Sequence, residues 1–176
     1  MSIDREIIRL TDEFILANNL NNESVQIDLH ILAKKAGATV IEHAFDDNIS
    51  GVLAINGLSK TIGINKADGP QRKRFTIAHE LGHLILHQDK GNLFMDSILF
   101  RKTGEGYTKR EEKIEREANY FAANILMPEK RVKAKLKNFV SDFFDDSIID
   151  DLAKDFGVSV SAMNYRLINL GIIKGY

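Results

Sequence analysis

The chain has 176 residues, 44% of them hydrophobic and 28% charged, the length and make-up of one globular domain rather than of a disordered segment. Its 24 Lys and Arg against 25 Asp and Glu leave a net charge of −1, which excludes an overall basic field of the kind that gathers nucleic acid. Cysteine is absent, so disulfides, thiolate metal sites and Cys nucleophiles are excluded and any metal must be held by His and carboxylates.

The first residues, Met1 to Glu6, are charged, and no apolar run approaches the roughly 18 residues of a membrane span, so a cytoplasmic protein without membrane partners is expected. Ile7, Ile8, Phe14 and Ile15 predict a helix from Asp4 to about Asn19, stopped by the Asn-rich stretch that follows. Ser24 is the expected N-cap of a second helix through Ile27, Ile31, Leu32 and Ala33, ended at Gly37. From Ala38 the residues become β-branched. Thr39 to Ile41, Gly51 to Ile55 and Thr61 to Ile64, with an Asn56-Gly57 turn, predict a small antiparallel sheet. Pro70 then opens a long helix, Gln71 to His87. Residues 89–107 have no sustained period and read as a long loop. Ala118, Phe121, Ala122 and Ile125 mark another helix, Thr108 to Met127, closed by Pro128.

Beyond it the charge separates. Five basic residues and one acidic lie between Glu129 and Lys137, and five Asp without a cation lie between Asp142 and Asp151. The stretch from Leu152 through Gly157 to Ile172 reads as helix, turn, helix. The expected organisation is a single domain, with N-terminal helices over 1–37, a sheet and two site-bearing helices over 38–128, and a helical segment over 129–176.

His79-Glu80-Leu81-Gly82-His83 is an H-E-x-x-H motif inside a predicted helix. Residues four apart lie one turn apart on the same face, so both imidazoles can reach one ion. Zn²⁺ suits two neutral imidazoles and a carboxylate, with a fourth position left for water. Glu80, beside the first His, is then placed to take a proton from that water as it attacks a carbonyl. A His-rich subclass of the motif needs Gly and His where this chain has Leu86 and Asp89, and is excluded. His87 lies about 12 Å along the axis from His79, too far to share the ion; it is expected to cap the helix or to support the ligands from behind.

The third ligand should come from the helix over Thr108 to Met127. Glu115 falls about 60° from Ala118 on the helical projection, inside the apolar arc, and Glu117 about 100° away on its opposite edge. Glu115 is therefore favoured, with Glu117 as fallback and Glu111 still open. Asn119, one turn after Glu115, is placed to orient a ligand.

Arg74 to His87, Ile114 to Ala123 and Ile125 to Pro128 together resemble the ImmA/IrrE zinc metallopeptidases. Weaker likeness extends to Ile62 to Asn65 and to the Leu152 to Ser159 segment. The resemblance implies an α+β, zincin-like domain with a ligand set of His79, His83 and Glu115 and with Glu80 as base. It also implies a protein substrate, a helix-turn-helix repressor often encoded beside such proteins on a phage or mobile element. A strand near the active helix would align an extended peptide, with Thr61 to Asn65 as the candidate edge. Tyr107, Tyr120 and His87 are candidate oxyanion donors.

Two rival readings follow from the same residues. One is a zinc-stabilised regulator that binds a repressor without cutting it. The other is a DNA binder, whose recognition helix would present Ser161, Asn164, Tyr165 and Arg166. Arg166 is that helix's one basic residue and an acidic run precedes it, so packing or repressor docking is favoured over direct nucleic-acid contact.

Overall fold

In a computed structural model of the chain, which describes residues 3–22, 26–46, 48–89, 91, 93–97, 108–137 and 146–174, the first helix, α1, covers Arg5–Ala17 and is capped by the Asp4 carboxylate. It buries Ile7, Thr11 and Ile15, one residue per turn. The Thr11 hydroxyl, sealed from water, donates to the Ile7 carbonyl at 2.7 Å, which removes the cost of an unsatisfied polar group. A 3₁₀ turn over Leu20–Asn22 follows. Helix α2 is Leu29–Lys35, and its N-cap is Asp28, whose carboxylate accepts from the backbone N–H groups of His30 and Ile31. The helix thus starts later than expected; Ser24 lies outside the described residues.

Four strands follow in one sheet: β1 (Ala38–His43), β2 (Ile49–Asn56), β3 (Ser59–Asn65) and β4 (Leu93–Ser97). Their order is β1-β3-β2-β4. The β2–β3 and β2–β4 pairs are antiparallel, but β1 and β3 are parallel, so the sheet is mixed rather than wholly antiparallel. The cause is the β1–β2 connection, which passes the position that β3 later fills. Asn65, at the end of β3, secures this crossing: its buried amide donates to the carbonyls of Ile49 at 2.8 Å, Phe45 at 3.3 Å and Asp46 at 3.4 Å. Its carbonyl oxygen accepts from Ala67 N–H. Two expectations change as a result. Thr61 to Asn65 belong to an interior strand, flanked by β1 and β2, and cannot offer a free edge. Part of the stretch read as a loop is β4, which forms the edge on the other side of β2.

Helix α3 covers Pro70–His87, with Pro70 at its first position, where the missing N–H costs nothing and φ is already helical. Arg72 near its start reaches the sheet, donating to the buried Ser50 Oγ at 3.1 and 2.8 Å, where the β2–β4 register shifts between Ile49 and Gly51. Helix α4 covers Lys109–Leu126 and opens with a reciprocal capping box between Thr108 and Glu111. Leu53, Ile62 and Ile64 of the sheet and Phe121, Ala122 and Ile125 of α4 are fully or almost fully buried. Helix α3 lies between these layers, which is why every residue from Thr76 to Leu84 is buried, polar ones included. Phe14 of α1 meets Phe121 of α4 with ring centroids 5.2 Å apart.

Pro128 ends α4 and leads into α5 (Glu129–Leu136); α6 (Asp146–Phe156) and α7 (Val160–Asn169) complete the chain. Gly157 makes the turn between the last two at φ +65°, a backbone region that costs other residues strain. Arg131 of α5 lies over the Phe156 ring at 5.0 Å. Arg166 of α7 is buried and donates to the Met127 carbonyl at 3.0 Å and to Asn124 Oδ1 at 2.8 Å. The one cation of the presumed recognition helix therefore faces inward and fastens α7 to the end of α4. No helix among the described residues is long and apolar enough to cross a membrane.

Asn65→Ala leaves at least one buried carbonyl without a donor and should cost about 2–3 kcal/mol. Urea unfolding monitored by circular dichroism measures this, and a loss below about 0.5 kcal/mol would show that the crossing does not depend on the amide.

Candidate metal centre

His79 and His83 lie one turn apart on α3, on the face turned toward α4. Close approach of the two helices is possible because of Gly82: a Cβ there would lie 3.1 Å from both Cα and O of Ala118. The small pair brings Glu115 within reach. Its two carboxylate oxygens lie 3.1 Å from His79 Nε2 and 3.2 Å from His83 Nε2, and the two Nε2 atoms are 3.0 Å apart. A tetrahedral ion with bonds of 2.0–2.2 Å would separate its ligand atoms by about 3.3 Å. The three atoms are thus spaced as ligands of one ion, and among the described residues they form the group of His and carboxylate side chains able to hold a metal.

The groups behind the imidazoles support the same fit. His79 Nδ1 meets Asn119 Oδ1 at 3.0 Å. An amide oxygen only accepts, so Nδ1 carries the proton and Nε2 presents a lone pair. His87 Nε2 meets the Glu117 carboxylate at 2.9 Å and His87 Nδ1 meets His83 Nδ1 at 3.3 Å. A carboxylate also only accepts, so His87 donates from Nε2, accepts at Nδ1 from His83, and leaves His83 Nε2 bare. Two lone pairs and an anion converge on one point. A cation satisfies all three without disturbing either backing partner.

Glu80 is fully buried on the turn between the two histidines. Its space is made by Gly51 of β2, where a Cβ would collide with Thr76 Cγ2 and lie 3.0 Å from Glu80 Oε1. On the sheet side, Phe94 of β4 stacks on His83, with ring centroids 4.7 Å and planes 17° apart.

The structure brings together His79, His83 and Glu115, with Asn119 and His87 behind the two imidazoles and Glu117 behind His87. Glu117 is more deeply buried than Glu115, 2% against 22% exposed at the side chain, and so does not sit on the margin of the buried face as the helical projection placed it. Lys113, 3.6 Å from Glu117, also faces it. Glu111 is spent on the capping box. His87 has both ring nitrogens committed inside the protein and is not poised as an oxyanion donor. Tyr120 is half-buried among Asp12, Arg166 and Glu129, where burial and then Asp12 raise its phenol pKa; Tyr107 lies outside the described residues. Gly51 and Phe94 escaped sequence reasoning, and the signal for the first was a glycine inside a β-branched run.

A model of the IrrE N-terminal-like domain matches residues 33–168. The chain belongs to that family. It is 38% identical over 104 residues to the radiation response metalloprotease IrrE of Deinococcus radiodurans, an alignment spanning 59% of this chain and 29% of that protein. A Mycobacterium tuberculosis transcriptional regulator shares the fold at a TM-score of 0.59 and 19% identity, over 94% of this chain and 48% of that one. The chain therefore spans less than half the length of either relative. The fold is the α+β, zincin-like arrangement, with its H-E-x-x-H helix between sheet and α4.

Glu117→Gln and His87→Phe should each lower Zn²⁺ affinity about 10- to 100-fold, measured by competition with a chromophoric chelator. Gly82→Ala, which pushes α4 away, should act in the same direction and also lower the melting temperature. Unchanged affinity in all three would show that the backing groups and the helix contact do not set the ligand geometry.

Proposed function

We propose that this chain is a zinc-dependent endopeptidase that cuts a regulatory protein, a helix-turn-helix repressor, with Glu80 as general base and His79, His83 and Glu115 as the metal ligands. The observation that carries the reading is the convergence of two bare Nε2 atoms and one ionised carboxylate at 3.0–3.2 Å, with a second, buried carboxylate on the intervening turn. When bound, zinc supplies the Lewis acidity that makes water a nucleophile at neutral pH and polarises the scissile carbonyl. Glu80 accepts the proton of the attacking water and delivers it to the departing amine. Asn119 and the His87–Glu117 pair hold the imidazoles in the tautomers this requires. Strand β4, the sheet edge next to His83, offers its backbone to an extended segment of the substrate.

The repressor as substrate is supported by the family resemblance, and a proteolytic role by the metalloprotease named among the relatives. Direct DNA binding draws little support from α7, because Arg166 is turned inward onto α4.

Glu80→Gln should keep the fold and the Zn²⁺ stoichiometry of the wild type and lower cleavage by at least about 10³-fold. Co-expression with helix-turn-helix proteins encoded by neighbouring genes, followed by mass spectrometry of the fragments, checks this. Relief of repression that survives Glu80→Gln would establish the non-cutting regulator instead. Glu115→Ala should lose both the ion and the cleavage.

A further inference from the structure

The side-chain rows that form the metal centre continue past it. On α3 the row at every fourth position runs Phe75, His79, His83; on α4, whose partners run in the opposite direction, it runs Glu115, Asn119, Ala123, Met127. Toward Phe75 and Met127 the rows become apolar, and α7 closes the third side with Ala162 and Tyr165. The result is a cleft of about 720 Å³, within the size range of ligand pockets. It adjoins the centre through two of its walls: Asn119, which lines it, bonds His79, and the Phe75 ring, which also lines it, lies 6.1 Å from the His79 ring. Tyr165, 66% exposed, is among its lining residues.

The geometry points to this cleft as the specificity pocket of the peptidase, taking a large apolar side chain, Leu, Phe or Met, from the substrate residue next to the cut bond. This rests on the reading of the chain as a peptidase. Successive residues of a chain are 3.8 Å apart at Cα, so a peptide with its carbonyl at the imidazoles brings the neighbouring side chain to the level of Phe75. Chemistry selects the class. No carboxylate is among the described lining residues, whereas Arg72 and Arg166 are, so a basic side chain is repelled. Arg166 is already hydrogen-bonded to Met127 and Asn124, and Arg72 to Ser50 with the Asp68 carboxylate 3.9 Å away, so an acidic side chain must displace existing partners to pair with either cation.

The test uses blocked hexapeptides that differ only at the residue flanking the cut, carrying Leu, Phe, Ala, Asp or Lys. Cleavage is measured with the Zn²⁺-loaded chain, and binding with Zn²⁺-loaded Glu80→Gln by fluorescence polarisation. Leu and Phe peptides should exceed the Ala peptide about 10- to 100-fold in kcat/KM and in affinity, with Asp and Lys at or below Ala. Ala162→Trp and Ala123→Phe, which fill the cleft from opposite walls, should bring the Leu to Ala ratio down to about 1. Zn²⁺ content and melting temperature of each variant identify any that has misfolded. No preference in the wild type, or a ratio that survives both variants, overturns the pocket while leaving the peptidase intact. Selective binding to Glu80→Gln without any cleavage by the wild type leaves the pocket standing and overturns the peptidase. A wild-type dimer that Ala162→Trp converts to monomer, seen by sedimentation, assigns the cleft to a second copy of the chain and overturns the proposal.

Discussion

The centre depends on how closely two helices touch. Gly82 lets the backbone of α4 come against α3 at Ala118, and only at that separation can the Glu115 carboxylate lie within 3.2 Å of both imidazoles. A side chain at position 82 would widen the gap at the level of the histidines themselves. The contact also has a cost. It seals polar side chains, His79, Glu80, His83 and His87 among them, into a largely apolar layer, and each must be satisfied from within. Asn119 and Glu117 come from the opposing helix, so the packing that buries these imidazoles also delivers their hydrogen-bond partners. The sheet contributes by leaving room, through Gly51, where Glu80 must sit.

The two histidines are held by chemically different partners. His79 rests against a neutral amide, whereas His83 is backed by a second imidazole and, through it, by a carboxylate. His83 is thus joined through His87 to the Glu117 carboxylate, whereas the chain behind His79 begins with the Asn119 amide. A ring stacked on Phe94 and tethered at Nδ1 has little freedom to turn. The orientation of His83 is therefore set by groups on three elements, α3, α4 and β4.

The local features were legible in the residues. Pro70 at the first turn and paired histidines four apart marked α3; Thr108 with Glu111 and the spacing of Ala118, Phe121, Ala122 and Ile125 marked α4. Both are short-range patterns, which a linear reading captures. The order of the strands was not, because the position of β3 between β1 and β2 is set by pairing across the chain and by an Asn65 amide that reads as an ordinary polar residue. Strand β4 is five residues long in a stretch without alternation. The burial of Glu117 escaped for a related reason: projecting α4 alone shows its own apolar arc, but the partner that draws Glu117 inward, His87, stands on another helix.

The tie between Arg166 and the last turn of α4 has a mechanical meaning. Met127 and Asn124 sit at one end of a stiff rod whose other half carries Glu115, about 18 Å away along the axis. The last helix is thus tied to the same helix that carries the acidic side chain, and that helix touches α3 closely at Gly82. The carboxylate and the anchor point of the terminal helices therefore share one backbone, on either side of the Gly82 contact.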